Sequence, residues 1–218
     1  MADPTRRRTL ILLASAAAVG CGVEPEDTTP RDDDGDGTVD DCGALTSTQT
    51  EGPYYPGRPE ARADITRGIG GVPLAVDIQV VSRDTCEAVV DAEVDLWGAD
   101  AGGNYSGYSD FDTEGQDFMR GRQTTDADGV AAFTAIVPGS YPGRAVHLHV
   151  KVRSGGSELT TQVYFPDAMV REVLAAARYG DSARQTDLAG DGFYVGDTLM
   201  TVTGSVADGY TASVVLVV

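Results

Sequence analysis

Two histidines stand one residue apart in the run Ala145-Val146-His147-Leu148-His149-Val150-Lys151-Val152, and the 218-residue chain holds no others. Residues two apart in a strand share a face, so Val146, Leu148, Val150 and Val152 form an aliphatic face and both imidazoles project from the other. Rooted about 7 Å apart along the strand, the rings can converge on one metal ion. The competing reading is a pair of solvent-facing histidines; the His-x-His spacing of the chain's whole histidine complement favours the metal. No third histidine or spare cysteine remains, which disfavours the three-His and Cys-rich zinc sites. Tyrosines lie nearby in sequence. Tyr105 and Tyr108 follow Ala101-Gly102-Gly103-Asn104, and Tyr141 sits in Pro138-Gly139-Ser140-Tyr141-Pro142-Gly143-Arg144, just before the histidines. Phenolate is a hard anionic oxygen ligand suited to ferric iron, and a bound cation can lower the phenol pKa of about 10 enough for ionisation at neutral pH. Two imidazoles, two phenolates and a hydroxide would leave an iron(III) site without net charge.

Such side chains need a rigid frame, and the pattern predicts one rich in strands. Period-two or β-branched runs cover Leu74–Ser82, Ala88–Trp97, Val130–Ile136, Ala145–Arg153, Glu158–Phe165, Thr198–Val206 and Tyr210–Val218. Turn residues punctuate them, as in Asp126-Ala127-Asp128-Gly129 and Pro138-Gly139. One helix is expected, with Asp167 as N-cap, Val170, Val173, Leu174 and Ala177 on one face and Gly180 as terminator. The fold class is mainly β: a β-sandwich of antiparallel and mixed strands over residues 44–218, with one short helix and long active-site loops.

Ahead of that domain the chain reads as an export device. Arg6-Arg7-Arg8 precedes an apolar stretch from Leu10 to Gly20, too short to span a bilayer but fitted to the h-region of a signal peptide over residues 1–20. Arg7-Arg8 resembles a twin-arginine signal, and Ala18-Val19-Gly20-Cys21 resembles a bacterial lipobox whose Cys21 becomes lipidated. The protein is therefore expected outside the cytoplasm, as a bacterial cell-envelope lipoprotein or a secreted protein, touching membrane only through that anchor. Residues 21–43 form an acidic, flexible tether. Within it Asp32, Asp34 and Asp36, followed by Gly37, resemble the start of a calcium loop, without the bidentate Glu at the twelfth loop position; a solvated spacer is the competing reading. Cys42 and Cys86 remain as an even pair, read as a disulfide that stabilises by about 3–4 kcal/mol on the chain-entropy model. Lys and Arg number 16 against 34 Asp and Glu, a net charge of −18. That balance excludes nucleic acid and a polybasic membrane surface as partners.

The site motifs, taken in order, resemble a known family: the intradiol ring-cleavage dioxygenases, the group of the catechol and protocatechuate 3,4-dioxygenases. The resemblance runs from Thr50-Glu51-Gly52-Pro53-Tyr54-Tyr55 through Val94-Asp95-Leu96-Trp97-Gly98-Ala99-Asp100-Ala101-Gly102-Gly103-Asn104-Tyr105-Ser106-Gly107-Tyr108. It continues in Phe118-Met119-Arg120-Gly121-Arg122 and the Tyr141 to His149 run, and ends in Gln162-Val163-Tyr164-Phe165-Pro166-Asp167. It is closest to the exported, single-domain branch. The resemblance implies that Tyr105 and His147 are equatorial iron ligands and that Tyr141 and His149 are axial, with Tyr108 the competitor for Tyr105. It implies that Arg144 is the active-site arginine stabilising negative charge on the substrate ring, and that Gln162 lies near the oxygen and substrate pocket. Gly143 departs from family members that carry a bulky aromatic there. The implied activity uses Fe(III) and dioxygen to cleave a catechol between its hydroxylated carbons, displacing Tyr141, whose phenolate takes up a proton, and giving a muconate-type product.

The rival from another class is a non-catalytic surface module, a transthyretin-like sandwich binding carbohydrate or protein, which Asp126-Ala127-Asp128-Gly129 and Pro138-Gly139-Ser140-Tyr141 also resemble. Such a module has no reason to keep His-x-His beside two placed tyrosines. A zinc hydrolase is disfavoured by the missing third histidine.

Overall fold

Alternation of apolar and polar side chains builds most of the frame. In β1 (Pro73–Val81), Leu74, Val76, Ile78 and Val80 are buried while their neighbours face outward, and in β8 (Gly209–Val217) Tyr210, Ala212, Val214 and Leu216 do the same. The remaining strands are β2 (Glu93–Trp97), β3 (Arg120–Thr124), β4 (Val130–Ile136), β5 (His147–Ser154), β6 (Ser157–Tyr164) and β7 (Thr201–Ser205). A computed structural model describes residues 42–55, 57–176, 179 and 186–218. The export signal, Cys21, the Asp32, Asp34 and Asp36 loop, Ala177 and Gly180 lie outside the described residues.

The strands form two four-stranded sheets, β4-β1-β8-β7 and β3-β2-β5-β6, antiparallel except for the parallel β1–β8 pair. Val76, Ile78 and Phe133 from the first sheet meet Leu96, Leu148, Val150 and Val163 from the second in one core. This is a mainly β sandwich with a single short helix among the described residues, α1 (Asp167–Leu174).

Several expected boundaries move. The interval 88–92 is a turn rather than strand, because Asp91 has φ 60° and Ala88 makes only an isolated bridge to Val81. A 3-10 turn at Gly196–Thr198 delays β7 to Thr201. The helix ends at Leu174; its N-cap is Pro166, and Asp167 is its first residue, with its carboxylate accepting from the Leu188 amide at 3.1 Å. Strand β3 is an eighth strand without apolar periodicity. Its inward position is Gly121, where a Cβ would lie 2.3 Å from Ile65 Cγ2, so a neighbour's side chain fills the space that an apolar residue of its own would take.

Strand β5 is buried on both faces from His147 to Val152. Leu148, Val150 and Val152 enter the core, and the opposite face is covered by a strap over residues 42–55 and 57–62. Backbone bonds from Gln49 to Thr160 (2.8 Å) and from Arg62 to Arg122 (3.0 Å) pin the strap to the sheet, and its start is held by the Cys42–Cys86 disulfide, Cα–Cα 5.2 Å. Two loops approach each other at the same end of the sheet. Gly139 donates to the Asp100 carbonyl at 2.8 Å, and a Cβ there would lie 2.3 Å from the Ala101 carbonyl oxygen. Gly103, at φ +83°, faces the Ser140 carbonyl, whose oxygen would lie 2.5 Å from a Cβ there. Glycine at both positions lets the loops carrying Tyr105 and Tyr141 meet backbone to backbone.

Gly139→Ala is therefore expected to lower unfolding free energy by about 1–3 kcal/mol in a denaturant titration, the cost of overpacking at a backbone contact. An unchanged midpoint would show that the loops separate freely.

Candidate active site

The strand register brings the predicted residues together. His147 and His149 leave the same face of β5, Trp97 is the cross-strand partner of His149 on β2, and Gln162 is its partner on β6. Tyr105 and Tyr141 arrive from the two glycine-pressed loops. Four polar atoms then form a closed ring. Tyr105 Oη lies 3.2 Å from Tyr141 Oη, Tyr141 Oη 2.9 Å from His147 Nε2, His147 Nε2 3.2 Å from His149 Nε2, and His149 Nε2 3.1 Å from Tyr105 Oη. The Tyr108 ring instead packs edge-on against Tyr54, with the Arg120 guanidinium 5.5 Å from its centroid.

Counting protons makes the ring unusual. His147 Nδ1 lies 2.6 Å from the Ala145 carbonyl oxygen, which can only accept, so Nδ1 carries the proton and Nε2 presents a lone pair. The two phenols bring one proton each. His149 brings a third only if its proton sits on Nε2 rather than on Nδ1, which is buried and has no partner among the described residues. Four contacts thus share at most three protons, and two if His149 holds its proton on Nδ1. They cannot all be hydrogen bonds. Edges near 3 Å are, however, the spacing of adjacent ligands around a cation with bonds of about 2.0–2.1 Å.

Electrostatics keep these groups neutral while no cation is present. Burial, then the Arg144 charge, pushes the His147 pKa down to about 3; burial, His147 and Arg144 hold His149 well below the usual imidazole range. His147 Nε2 is then free of the proton that would block a metal, and His149 Nε2 is free of it when the His149 proton sits on Nδ1. Burial and the neighbouring Tyr141 raise Tyr105 well above an ordinary phenol, and burial raises Tyr141. Ionising the pair calls for a positive charge at the ring. Among the described residues no group of three or more His, Cys, Asp and Glu side chains could hold a metal, so a site here depends on the phenols.

The surroundings fix each member. The Trp97 ring lies parallel to His149, with centroids 4.9 Å apart and planes 9° from parallel, and Tyr55 backs it at 4.7 Å. Tyr55 Oη donates to the buried Asp95 carboxylate at 2.7 Å, and Arg153 donates to the same oxygen at 2.7 Å. Tyr54 stacks on Tyr105 at 4.7 Å, and Arg120 binds both the Tyr54 carbonyl at 2.8 Å and the Ser106 carbonyl at 2.6 Å, stapling strap to loop. Arg144 donates to Tyr164 Oη at 3.1 Å and to Gln162 Oε1, while Gln162 Nε2 donates to the Thr50 carbonyl at 3.0 Å. Burial works against charge on Arg144, but Tyr141, Asp191 and Tyr164 outweigh it and hold the guanidinium above its ordinary pKa.

A pocket of about 530 Å³ opens onto this ring, walled by Tyr54, Phe111, Pro142 and Phe193, with Tyr105, Tyr141, Arg144 and His149 also lining it. Gly143, between Pro142 and Arg144, is exposed, and a Cβ there would meet nothing within 4 Å. A larger groove of about 690 Å³ beside Leu45, Val89 and Leu159 includes none of these residues. Sequence reasoning missed Asp191, Tyr164, Tyr54, Trp97 and Arg120 as parts of the site. Trp97 had a usable signal, as the chain's one tryptophan at the end of a strand; Asp191, flanked by glycines, reads as a turn.

Known proteins share this arrangement of chain. A family model described as Dioxygenase matches residues 50–198. A chlorocatechol 1,2-dioxygenase of Pseudomonas putida is 34% identical over 39% of this chain and 39% of its own length, so the match spans well under half of that enzyme. An intradiol ring-cleavage dioxygenase from Tetranychus urticae superposes with TM-score 0.75 at 25% identity, covering 80% of this chain and 94% of that one. The dioxygenase domain of a dioxygenase–carbohydrate-binding protein fusion from Streptomyces sp. SirexAA-E gives TM-score 0.63 at 32% identity, covering 80% and 98%. With the family model spanning most of the sandwich, the chain belongs to the intradiol ring-cleavage dioxygenases.

Proposed function

We propose that the protein is an exported ferric dioxygenase that cleaves a catechol-type ring between its two hydroxylated carbons, consuming dioxygen and giving a muconate-type product. The observation that carries this reading is the proton-deficient ring of Tyr105, Tyr141, His147 and His149. These four side chains would hold the iron, two neutral imidazoles and two phenols that a trivalent cation can ionise. When bound, ferric iron supplies a Lewis acid and a template that draws electron density from a chelated catechol and opens the ring to dioxygen.

The chain's own groups do the rest. Tyr141 is only partly buried and lines the pocket, so its Oη, as the phenolate it would become with the cation held, is positioned to take a proton from an entering catechol hydroxyl. Tyr105, 1% exposed and stacked under Tyr54, stays in place. Arg144 presents a fixed cation to the pocket and stabilises negative charge on the bound ring. Gln162 and Tyr164 hold that guanidinium by accepting its N–H groups. Tyr54, Phe111 and Phe193 offer apolar faces to the aromatic substrate and keep water from it. Residues 1–20 and the Cys42–Cys86 pair support export, with Cys21 as the lipid anchor. A non-catalytic surface module would account for the sandwich but not for four polar atoms held against one another with too few protons.

Oxygen uptake with catechol, protocatechuate and hydroxyquinol tests the reading directly. The iron-loaded protein should consume one O2 per ring cleaved with at least one of them and release a muconate-type product. Iron-loaded protein inert toward all three would overturn it. Arg144→Gln should retain iron and lose about 10²–10³ in kcat/KM, the size expected for removing one charge-stabilising group.

Acid should weaken the metal-free protein. The His147 pKa falls from 6.5 in the unfolded chain to about 3 in the folded one, so below pH 6.5 the unfolded chain binds a proton that the fold refuses. Stability is therefore greatest above that pH and declines toward pH 3. His147 alone accounts for about 2 kcal/mol between pH 7 and pH 5, with His149 acting in the same direction. Denaturant titrations in chelator at the two pH values measure it, and equal stabilities would show that the imidazoles are not buried neutral.

A further inference from the structure

Asp191 follows the 3-10 turn Leu188–Gly190, and its side chain is wholly buried beside Arg144. Its Oδ2 accepts from Arg144 Nε at 3.0 Å and from the Ala145 amide at 2.8 Å, and its Oδ1 accepts from the Phe193 amide at 2.8 Å. The Phe193 ring in turn lies against the guanidinium, with Arg144 Cζ 4.6 Å from its centroid. Arg144 is thus gripped at Nε by Asp191, at the outer nitrogen by Gln162 and Tyr164, and on its face by Phe193. Ala145, whose amide Asp191 binds, also supplies the carbonyl that orients His147.

A carboxylate taken out of water is unfavourable unless a cation and hydrogen bonds meet it, and both do here. The Arg144 side chain has several rotatable bonds, and its remaining hydrogen-bond partners are neutral, so the Asp191 carboxylate is the charged contact that ties it to one orientation. Two-oxygen acceptance also explains why the carboxylate sits between strand β5 and its own turn: one oxygen holds Arg144 and Ala145, the other closes the turn onto Phe193.

We propose that Asp191 is a positioning residue for ring cleavage, holding the Arg144 guanidinium in the orientation that meets the substrate ring. The proposal rests on the ring-cleavage reading above. Asp191→Asn preserves the shape and removes the charge. Asp187→Ala serves as the control, because Asp187 Oδ1 caps the same turn by accepting from the Gly190 amide at 2.9 Å, and its loss loosens the turn without touching that carboxylate.

Iron-loaded wild type and both variants are titrated with catechol under nitrogen, following visible absorbance, and then assayed for kcat and KM. Asp191→Asn should keep its iron, bind catechol about ten- to a hundredfold more weakly and raise KM in step, as expected for a misplaced binding group. Asp187→Ala should stay within about twofold of wild type. Wild-type affinity in Asp191→Asn overturns the proposal, as does an equal loss in Asp187→Ala, which would make turn order the cause. If Asp191→Asn does not accumulate folded, Asp191→Glu carries the test: it keeps the charge but displaces it by a methylene, so weaker catechol binding supports the proposal and wild-type binding overturns it. Wild-type protein that takes up iron but shows no response to catechol fails the ring-cleavage reading itself, and Asp191 then has no reaction to serve.

Discussion

Four polar atoms within about 3 Å of one another, three of them on buried side chains and with too few protons to bond them all, are the constraint around which the second sheet is arranged. Left alone, such a cluster sets lone pair against lone pair in a dry environment, where unpaired polar groups are expensive. A cation at the centre converts each of those lone pairs into a favourable contact. On the reading proposed above, the same low dielectric that keeps the histidines neutral and the phenols protonated would favour a strongly charged ion, which can ionise two such phenols at neutral pH.

The fold meets this constraint by burying one strand twice. The inner face of β5 joins the sandwich core, and its outer face, which in an ordinary antiparallel sheet would meet water, is roofed by the strap and the two tyrosine loops. Each cover is fastened by a specific device: the disulfide at Cys42, the Arg120 staple between Tyr54 and Ser106, the Tyr55–Asp95–Arg153 triad behind Trp97, and the glycine contact at Gly103 and Gly139. His147 is oriented by a hydrogen bond to a carbonyl; His149, with no partner on Nδ1 among the described residues, is oriented by the parallel face of Trp97. The two ligand candidates are therefore held by different physics, one polar and one by packing.

How much of this was legible in the sequence depended on whether the information was local. His-x-His on a strand is a local statement, and period-two alternation then assigns both rings to one face, so the centre of the site and most strand positions could be read directly. Strand β3 could not, because its inward residue is Gly121 and the apolar atom that fills its place belongs to Ile65, far away in sequence. Asp191 was invisible for a similar reason: flanked by glycines it carries the signature of a turn, and its value comes from Arg144 and Ala145, more than forty residues earlier. The proton shortage is likewise a property of contacts rather than of composition. Net acidity, prominent in the composition, bears on nucleic acid and membrane partners and says nothing of the ring.

The most direct test of the central claim is the visible spectrum of the protein after loading with ferric iron, read beside its metal content. One iron per chain with a red-brown absorption, arising from tyrosinate-to-iron charge transfer and bleaching on reduction, is the expected result, with the band shifted in Tyr141→Phe and lost or shifted in His147→Ala. A colourless protein, or one that retains a single zinc in preference to iron, would contradict the account.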